Sequence, residues 1–355
     1  MILIDGSYGE GGGQVLRTSL TLAMLTGHTV QVENIRAGRR RPGLAAQHLT
    51  AVRAAAAICG ATVNGDEMGS LWLHFQPGVP SRPGDYTFDV AQVRGAGSAG
   101  AVSLVFQTVF LPLALAPGPS RLILRGGTHV PWSPPFDYLA DVYLPALARL
   151  GLQADLELKQ WGFYPAGGGE LVAQIAGEAS GVRALSLTER GPVQRVWGTA
   201  VVANLPSHIP QRMANRARNL LAEAGLKAEL KTKRARARGP GAGIVVLTEH
   251  KEGARAGFTA YGRKGLPAER VAEAVCLDLL AYCGSNAPVD MHLADQLILP
   301  LAMAGGASLF TTCCVTKHLR TNMWVVEQFA QARFGLTDKT VAVFPRGKKE
   351  GPGRY

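Results

Sequence analysis

Short apolar runs alternate along the chain with glycine-rich turns, and their period switches between two and about 3.6 residues. Residues 1–90 predict a strand at 2–4, a glycine-rich turn, a helix over 15–25 closed by Gly27, and a strand over 29–35. A basic loop at 36–43 leads to a helix over 45–58, closed by Gly60, and to strands over 61–63 and 71–75. Glycine just past each helix end supports these boundaries, because it enters the left-handed region at little cost.

Residues 91–185 run through the same order. A Gly/Ala/Ser turn at 95–100 precedes an apolar helix over 101–115, a strand over 121–124, a loop at 126–135, a helix over 137–150, and strands over 153–158 and 170–175. The order returns near 288, with a helix over 292–304, a strand over 308–314, a loop at 315–318, a helix running to about Ala332 and a strand over 340–344. The pattern predicts an α+β fold in which one unit is used three times around a pseudo-symmetry axis. The third copy is displaced, which assigns 186–286 to an inserted domain and leaves 1–185 and 287–345 as the large catalytic domain, with 346–355 as a tail. The insert predicts strands over 193–202, near 228–232 and over 244–248, and helices over 209–224 and 267–283.

Composition narrows the picture. The chain has 355 residues, 47% apolar and 18% charged, which describes a globular protein with ample core. Its formal net charge is +11, and the insert alone carries 16 Lys and Arg against 8 Asp and Glu. Such a surplus favours a polyanionic partner, and the insert is expected to attract it without taking part in the chemistry. The 5 cysteines form no metal-ligand spacing and predict reduced thiols in a cytoplasmic protein. No signal peptide is predicted, since Asp5 interrupts the apolar start. The uncharged stretch 95–120 carries Gly100, Gln107, Pro112 and Pro117, so it predicts a buried helix and not a membrane span.

The candidate chemistry gathers around the turn at 6–17, where Gly6, Gly9, Gly11, Gly12 and Gly13 let backbone amides approach a ligand. Its spacing is neither the dinucleotide fingerprint nor a Walker loop. Glu10, Gln14 and Arg17 ride on it, and the equivalent helices carry Gln107 and Asp295 with Gln296. The equivalent loops carry Arg36 and Arg39, residues 126–135, and Lys317 with His318. If these loops converge, one site combines a histidine, the carboxylates of Glu10 and Asp295, and several guanidiniums, a set suited to phosphate and not to zinc. By position alone His48 and His292 rank beside His318 as a base.

The blocks at 9–17, 35–39, 42–44 and 47–49, with 162–169, 293–297 and the His318 segment with Thr321 and Asn322, resemble the RNA 3′-terminal phosphate cyclase family. They are spread over essentially the whole chain in family order. The resemblance implies three βαβαββ-type units in a pseudo-threefold arrangement, with a small thioredoxin-like insert. It implies an ATP-dependent enzyme that adenylylates its own histidine, passes AMP to an RNA 3′-phosphate, and closes a 2′,3′-cyclic phosphate. By the same resemblance His318 is the adenylylated residue, and Arg17, Arg36 and Arg39 contact phosphate. Glu10 is linked to a divalent cation (Mg2+ or Mn2+), while Gln14, Gln107, Pro134, Tyr138, His292, Asp295 and Gln296 hold the nucleotide. His292 stands where relatives can carry an aromatic residue, and Lys317 and Arg320 flank His318 where relatives vary. Two other classes fit parts of the pattern: a non-catalytic cyclase-like scaffold of ribosome assembly, which lacks the histidine, and an enolpyruvyl transferase, which does not need one.

Overall fold

The structure, a computed structural model, describes residues 1–93 and 98–346. The first part of the turn predicted at 95–100, and the tail at 346–355 beyond Arg346, lie outside the described residues.

The chain opens with β1 (Ile2–Asp5), α1 (Gly13–Thr26), β2 (Val30–Glu33), α2 (Ala46–Cys59), β3 (Thr62–Asn64) and β4 (Leu73–Gln76). The next stretch holds β5 (Asp85–Asp89), α3 (Val102–Ala114), β6 (Ser120–Gly126), α4 (Phe136–Tyr138), α5 (Leu144–Arg149), β7 (Ala154–Gln160) and β8 (Gly169–Ile175). The short β9 (Ser186–Leu187) precedes β10 (Val193–Ala203), α6 (His208–Glu223), β11 (Ala228–Arg234), β12 (Gly241–His250), β13 (Arg255–Tyr261) and α7 (Ala268–Gly284). Last come α8 (Leu293–Ala302), β14 (Ser308–Thr311), α9 (Lys317–Gln328), β15 (Ala332–Thr337) and β16 (Thr340–Pro345).

The strands form mixed sheets of the orders β1-β2-β4-β3, β5-β6-β8-β7, β15-β16-β14-β9 and β11-β10-β12-β13. In each of the first three sheets a leading strand pairs in parallel with the next, as β1 with β2, β5 with β6 and β9 with β14. The remaining pairs in those sheets are antiparallel. The fold is therefore mixed α+β. One large apolar core joins residues from Ile4 to Val343, and a second draws only on residues between Val196 and Tyr282.

Helix α1 is buried along nearly its whole length, from Gln14 to Met24 with Arg17 partly open. A helix apolar on all sides belongs inside the protein, and α1 packs against α2, α3 and α9. Gly27 closes it at φ 71°. The helix expected over 137–150 is instead α4 and α5 joined by a π-helical turn over Leu139–Tyr143. Pro145 has no amide hydrogen for the bond to Asp141 and its ring crowds that carbonyl, so the turn widens.

Candidate active site

The glycine-rich turn shapes one wall. Gly9 and Gly11 have φ of 69° and 55°. A Cβ on Gly12 would overlap the Glu10 carboxylate, and one on Gly13 would overlap the His48 ring. Glycine therefore leaves room for an ion pair and an imidazole where any side chain would fill it. Glu10 Oε1 lies 2.7 Å from Arg39 Nη2.

Gln14 couples the two ends of the chain. Its Nε2 donates to Asp295 Oδ2 at 2.6 Å, and its Oε1 accepts from His318 Nδ1. Ionised, as it is above about pH 7, Asp295 can only accept, so it orients the amide, and the amide in turn fixes the tautomer. With the proton on Nδ1, the lone pair of neutral His318 sits on Nε2. Glu10 Oε2 lies 3.0 Å from that nitrogen, a contact that is favourable only when the ring is protonated, so attack by Nε2 requires Glu10 to be drawn off it. His318 stands at the start of α9, whose cap is Thr316: its hydroxyl accepts from the Leu319 amide at 3.1 Å. Burial lowers the His318 pKa below the ordinary histidine value, aided by Arg17, Arg39 and His292 and opposed by Glu10. The ring remains neutral, and nucleophilic, to lower pH than a free histidine.

The arginines differ in their partners. Arg36 donates to the Gly43 carbonyl at 2.6 Å. The Arg17 guanidinium makes no hydrogen bond among the described residues, although the backbone carbonyl of Arg17 accepts from the Thr21 hydroxyl at 3.0 Å. Burial pushes its pKa down to about 10, against the pull of Asp295 and Glu10. Its charge is balanced by nearby carboxylates only at a distance, without a hydrogen bond to either. His48, buried behind it, is held far below the ordinary histidine value by burial and then by Arg17, and its Nδ1 has no partner. That removes His48 as a charged group but leaves it a polar atom beside Arg17.

The opposite wall is built on α3 and α8. Gln107 Nε2 donates to Gln296 Oε1 at 2.7 Å. Tyr138 is buried and its hydroxyl reaches Asp290 Oδ1 and Oδ2 at 2.9 and 3.0 Å. Its ring meets the His292 ring edge-on at 6.4 Å. Asp290, which sequence reasoning missed, also accepts from the amides of His292 and Leu293 at 2.8 and 2.9 Å, so it anchors the start of α8. An acid shortly before an apolar helix was the available signal.

The residues expected to act on phosphate, cation or nucleotide (Glu10, Gln14, Arg17, Arg36, Arg39, Gln107, Pro134, Tyr138, His292, Asp295, Gln296 and His318) line a single cavity of about 790 Å³, whereas Lys317 and Arg320, which flank His318, do not. Gly257, Thr259 and Tyr261 of β13 complete its wall. A Cβ at Gly257 would strike the Tyr138 ring. The stretch 186–286 thus touches the site directly, which differs from the expectation that it only attracts a polyanion.

Burial pushes the Asp295 carboxyl up to about 7, although Gln14 and Arg17 act to lower it and Asp290 adds to the rise. The unfolded chain releases this proton near 3.8, so between about pH 4 and 7 the folded state holds it more tightly and loses stability as pH rises. Asp295→Asn is expected to raise the melting temperature of the nucleotide-free protein at pH 8 and to have no such effect at pH 4. Thermal unfolding across that range checks it; a gain that does not depend on pH would mean that ionised Asp295 carries no such cost.

The model of the RNA 3′-terminal phosphate cyclase family matches residues 8–336. The chain belongs to the RNA 3′-terminal phosphate cyclase family. Relatives named RNA 3′-terminal phosphate cyclase include one from Methylococcus capsulatus, 55% identical over 94% of this chain and 92% of that one. Another, from Nostoc punctiforme, is 53% identical over 97% of this chain and 99% of that one. A third, from Pyrobaculum neutrophilum, is 42% identical over 94% of each chain. The enolpyruvyl transferase NikO of Streptomyces tendae aligns with 96% of this chain and 81% of that one, but at a TM-score of 0.22 and 11% identity, which carries no argument. In this family member the described residues contain no cluster of three His, Cys, Asp or Glu side chains able to hold a metal ion, and no helix long and apolar enough to cross a membrane.

Proposed function

We propose that the protein is an RNA 3′-terminal phosphate cyclase that converts an RNA 3′-phosphate to a 2′,3′-cyclic phosphate at the expense of ATP. The observation that carries the reading is the His318 ring, held by Gln14 through Nδ1 with Nε2 turned toward Glu10 in a cavity that also holds Arg17. In the first step Nε2 attacks the α-phosphate of ATP, an N–P bond forms, and pyrophosphate leaves. The proton stays on Nδ1, where Gln14 Oε1 stabilises the charge that develops on the ring. An oxygen of the RNA 3′-phosphate then takes the adenylyl group from His318. Finally the neighbouring 2′-hydroxyl attacks the 3′ phosphorus, AMP leaves, and the hydroxyl proton is lost to water. That last step is intramolecular, so positioning supplies much of its rate.

Arg17, Arg36 and Arg39 would bear on the phosphates, where planar guanidiniums match the charge that develops in displacement. Gln107, Pro134, Tyr138, His292, Asp295 and Gln296 would line the nucleoside side. Glu10 would hold a divalent cation (Mg2+ or Mn2+), which when bound neutralises phosphate charge. With a single carboxylate at that point, most of the ion's ligands would come from phosphate and water, as suits magnesium.

The matching strand pairing of three sheets supports reading them as copies of one βαβαββ-type unit in pseudo-threefold array; since β9 (Ser186–Leu187) leads the third, the domain takes in 1–187 and 287–345, two residues more than the pattern of the sequence assigned to it. The separate core between Val196 and Tyr282, and the order strand, helix, strand, strand, strand, helix, support a thioredoxin-like insert that begins after β9 and runs to 286. Five free cysteines fit a cytoplasmic location.

Incubation with ATP labelled at the α-phosphate tests the function. An acid-labile AMP adduct that disappears on adding 3′-phosphorylated RNA, with appearance of a cyclic end, is expected. Absence of both adduct and cyclic product sinks the reading and leaves a non-catalytic scaffold.

A further inference from the structure

A second cavity, of about 330 Å³, lies beside the first. The two share Gln47, Pro131, Trp132 and Ser133, so they meet at one junction. Trp132 stands there 96% exposed, and its φ of 61° places a bulky residue in the left-handed region. Both features are unfavourable in the free protein. An indole ring left in water forgoes the burial of about 150–250 Å² of apolar surface, and a left-handed backbone crowds the Cβ of a large residue.

The surroundings hold Trp132 in that posture. Pro131 precedes it and Pro134 and Pro135 follow, restricting the loop. Just before them, Thr128 and His129 are buried; the Thr128 hydroxyl accepts from the Gly162 amide at 2.9 Å and lies 2.9 Å from His129 Nδ1. His129 Nε2 reaches Asp137 Oδ2 at 2.8 Å, and its ring stacks on Trp161 at 4.1 Å. The loop thus springs from a packed, hydrogen-bonded base.

Tyr164 lines the second cavity and is 65% exposed. Among the described residues neither Trp132 nor Tyr164 has an aromatic partner, although other exposed rings do, as Tyr8 does with Trp324. Exposed Arg238 packs over Gly168 in the turn that carries Tyr164. Two open ring faces with a guanidinium nearby, continuous with a cavity rich in arginine, suit a single strand of nucleic acid: bases stack and the backbone meets positive charge. An apolar protein segment would not call for the arginine.

We propose that the nucleotides preceding the RNA 3′ end cross this second cavity, with bases stacked on Trp132 and Tyr164 and the backbone passing Arg238. The proposal rests on the cyclase reading, since it takes the terminal phosphate to lie in the first cavity. Stacking needs only a π face, so sequence preference along the strand is expected to be weak.

Fluorescence anisotropy with a short, labelled, 3′-phosphorylated oligoribonucleotide tests it. Trp132→Ala and Tyr164→Ala are each expected to raise Kd about ten-fold, while Trp132→Phe retains most of the affinity. Wild-type protein is expected to bind an RNA lacking the stacked base as weakly as Trp132→Ala binds the intact one, and Trp132→Ala is expected to add no further loss on that RNA. If wild-type protein binds and cyclises RNA but both alanine variants bind within about two-fold of it, the platform is wrong and the cyclase reading stands. Equal losses for Trp132→Ala on intact and base-deleted RNA also overturn stacking. If wild-type protein neither takes up AMP nor binds the RNA, the functional reading fails, and the platform with it.

Discussion

His318→Ala is expected to abolish both the AMP adduct and the cyclisation of an RNA 3′-phosphate. No other imidazole in the cavity offers the same arrangement. His48 is buried with an unpartnered Nδ1, and a Cβ built on Gly13 would meet its Nε2. His292 sits across the cavity, edge-on to Tyr138 and on the wall with Asp295. Only His318 combines an Nδ1 held by Gln14 with an Nε2 on the phosphate side of the cavity, beside Glu10. The same variant, given RNA already carrying AMP on its 3′-phosphate, is expected to form the cyclic end, because that step depends on positioning. An adduct that survives in His318→Ala, or that maps by peptide mass to His292 or a lysine, would refute the assignment. Since the His318 pKa is lowered, the acid limb of the adenylylation rate is expected below the ordinary histidine value of 6.5.

Arg17→Ala is expected to slow adenylylation by about 10²–10³-fold, the usual effect of removing a donor aimed at developing charge. The argument is the absence of a partner: a half-buried guanidinium without one is less favourable in the free protein than against a phosphate. The melting temperature is therefore expected to hold or rise in Arg17→Ala while activity falls. Arg17→Lys should restore little, because an ammonium lacks the planar fork. Arg39, already paired with Glu10 and 44% exposed, is expected to matter less, with a loss nearer 10²-fold. If Arg17→Ala turns over normally, or simply unfolds, the unpaired charge is not the phosphate site.

Much of this was legible in the sequence, for reasons that can be named. The helices α1, α2 and α3 fall within about two residues of their expected bounds, because long apolar runs with glycine stops are strong signals. The pattern does not announce four of the strands. In β5 and β13 the charged ends and Gly257 break the alternation, β9 is two residues long, and β15 starts at Ala332, where the preceding helix was expected to end. That helix stops at Gln328, and the chain turns with Ala330 at φ 54°, a conformation that sequence announces only when glycine or asparagine occupies it. In the site, the chemistry-bearing side chains were readable by type and by resemblance. Their joining was not: Gln14 meets Asp295 and His318 across 281 and 304 positions, and no local pattern reports such distance. The exposure of Trp132 was not legible either, because no periodicity in the proline-rich loop says which way its side chain faces.

Those long separations bear on how the protein is made. Synthesis runs from the N-terminus, so Glu10 and Arg17 emerge early, while the groups that complete their site wait for α8 and α9 near the far end. Contacts so remote in sequence close late, after the intervening loops have formed. A nascent chain therefore carries Glu10 and Arg17 well before α8 and α9 supply the Asp295 and His318 that meet them.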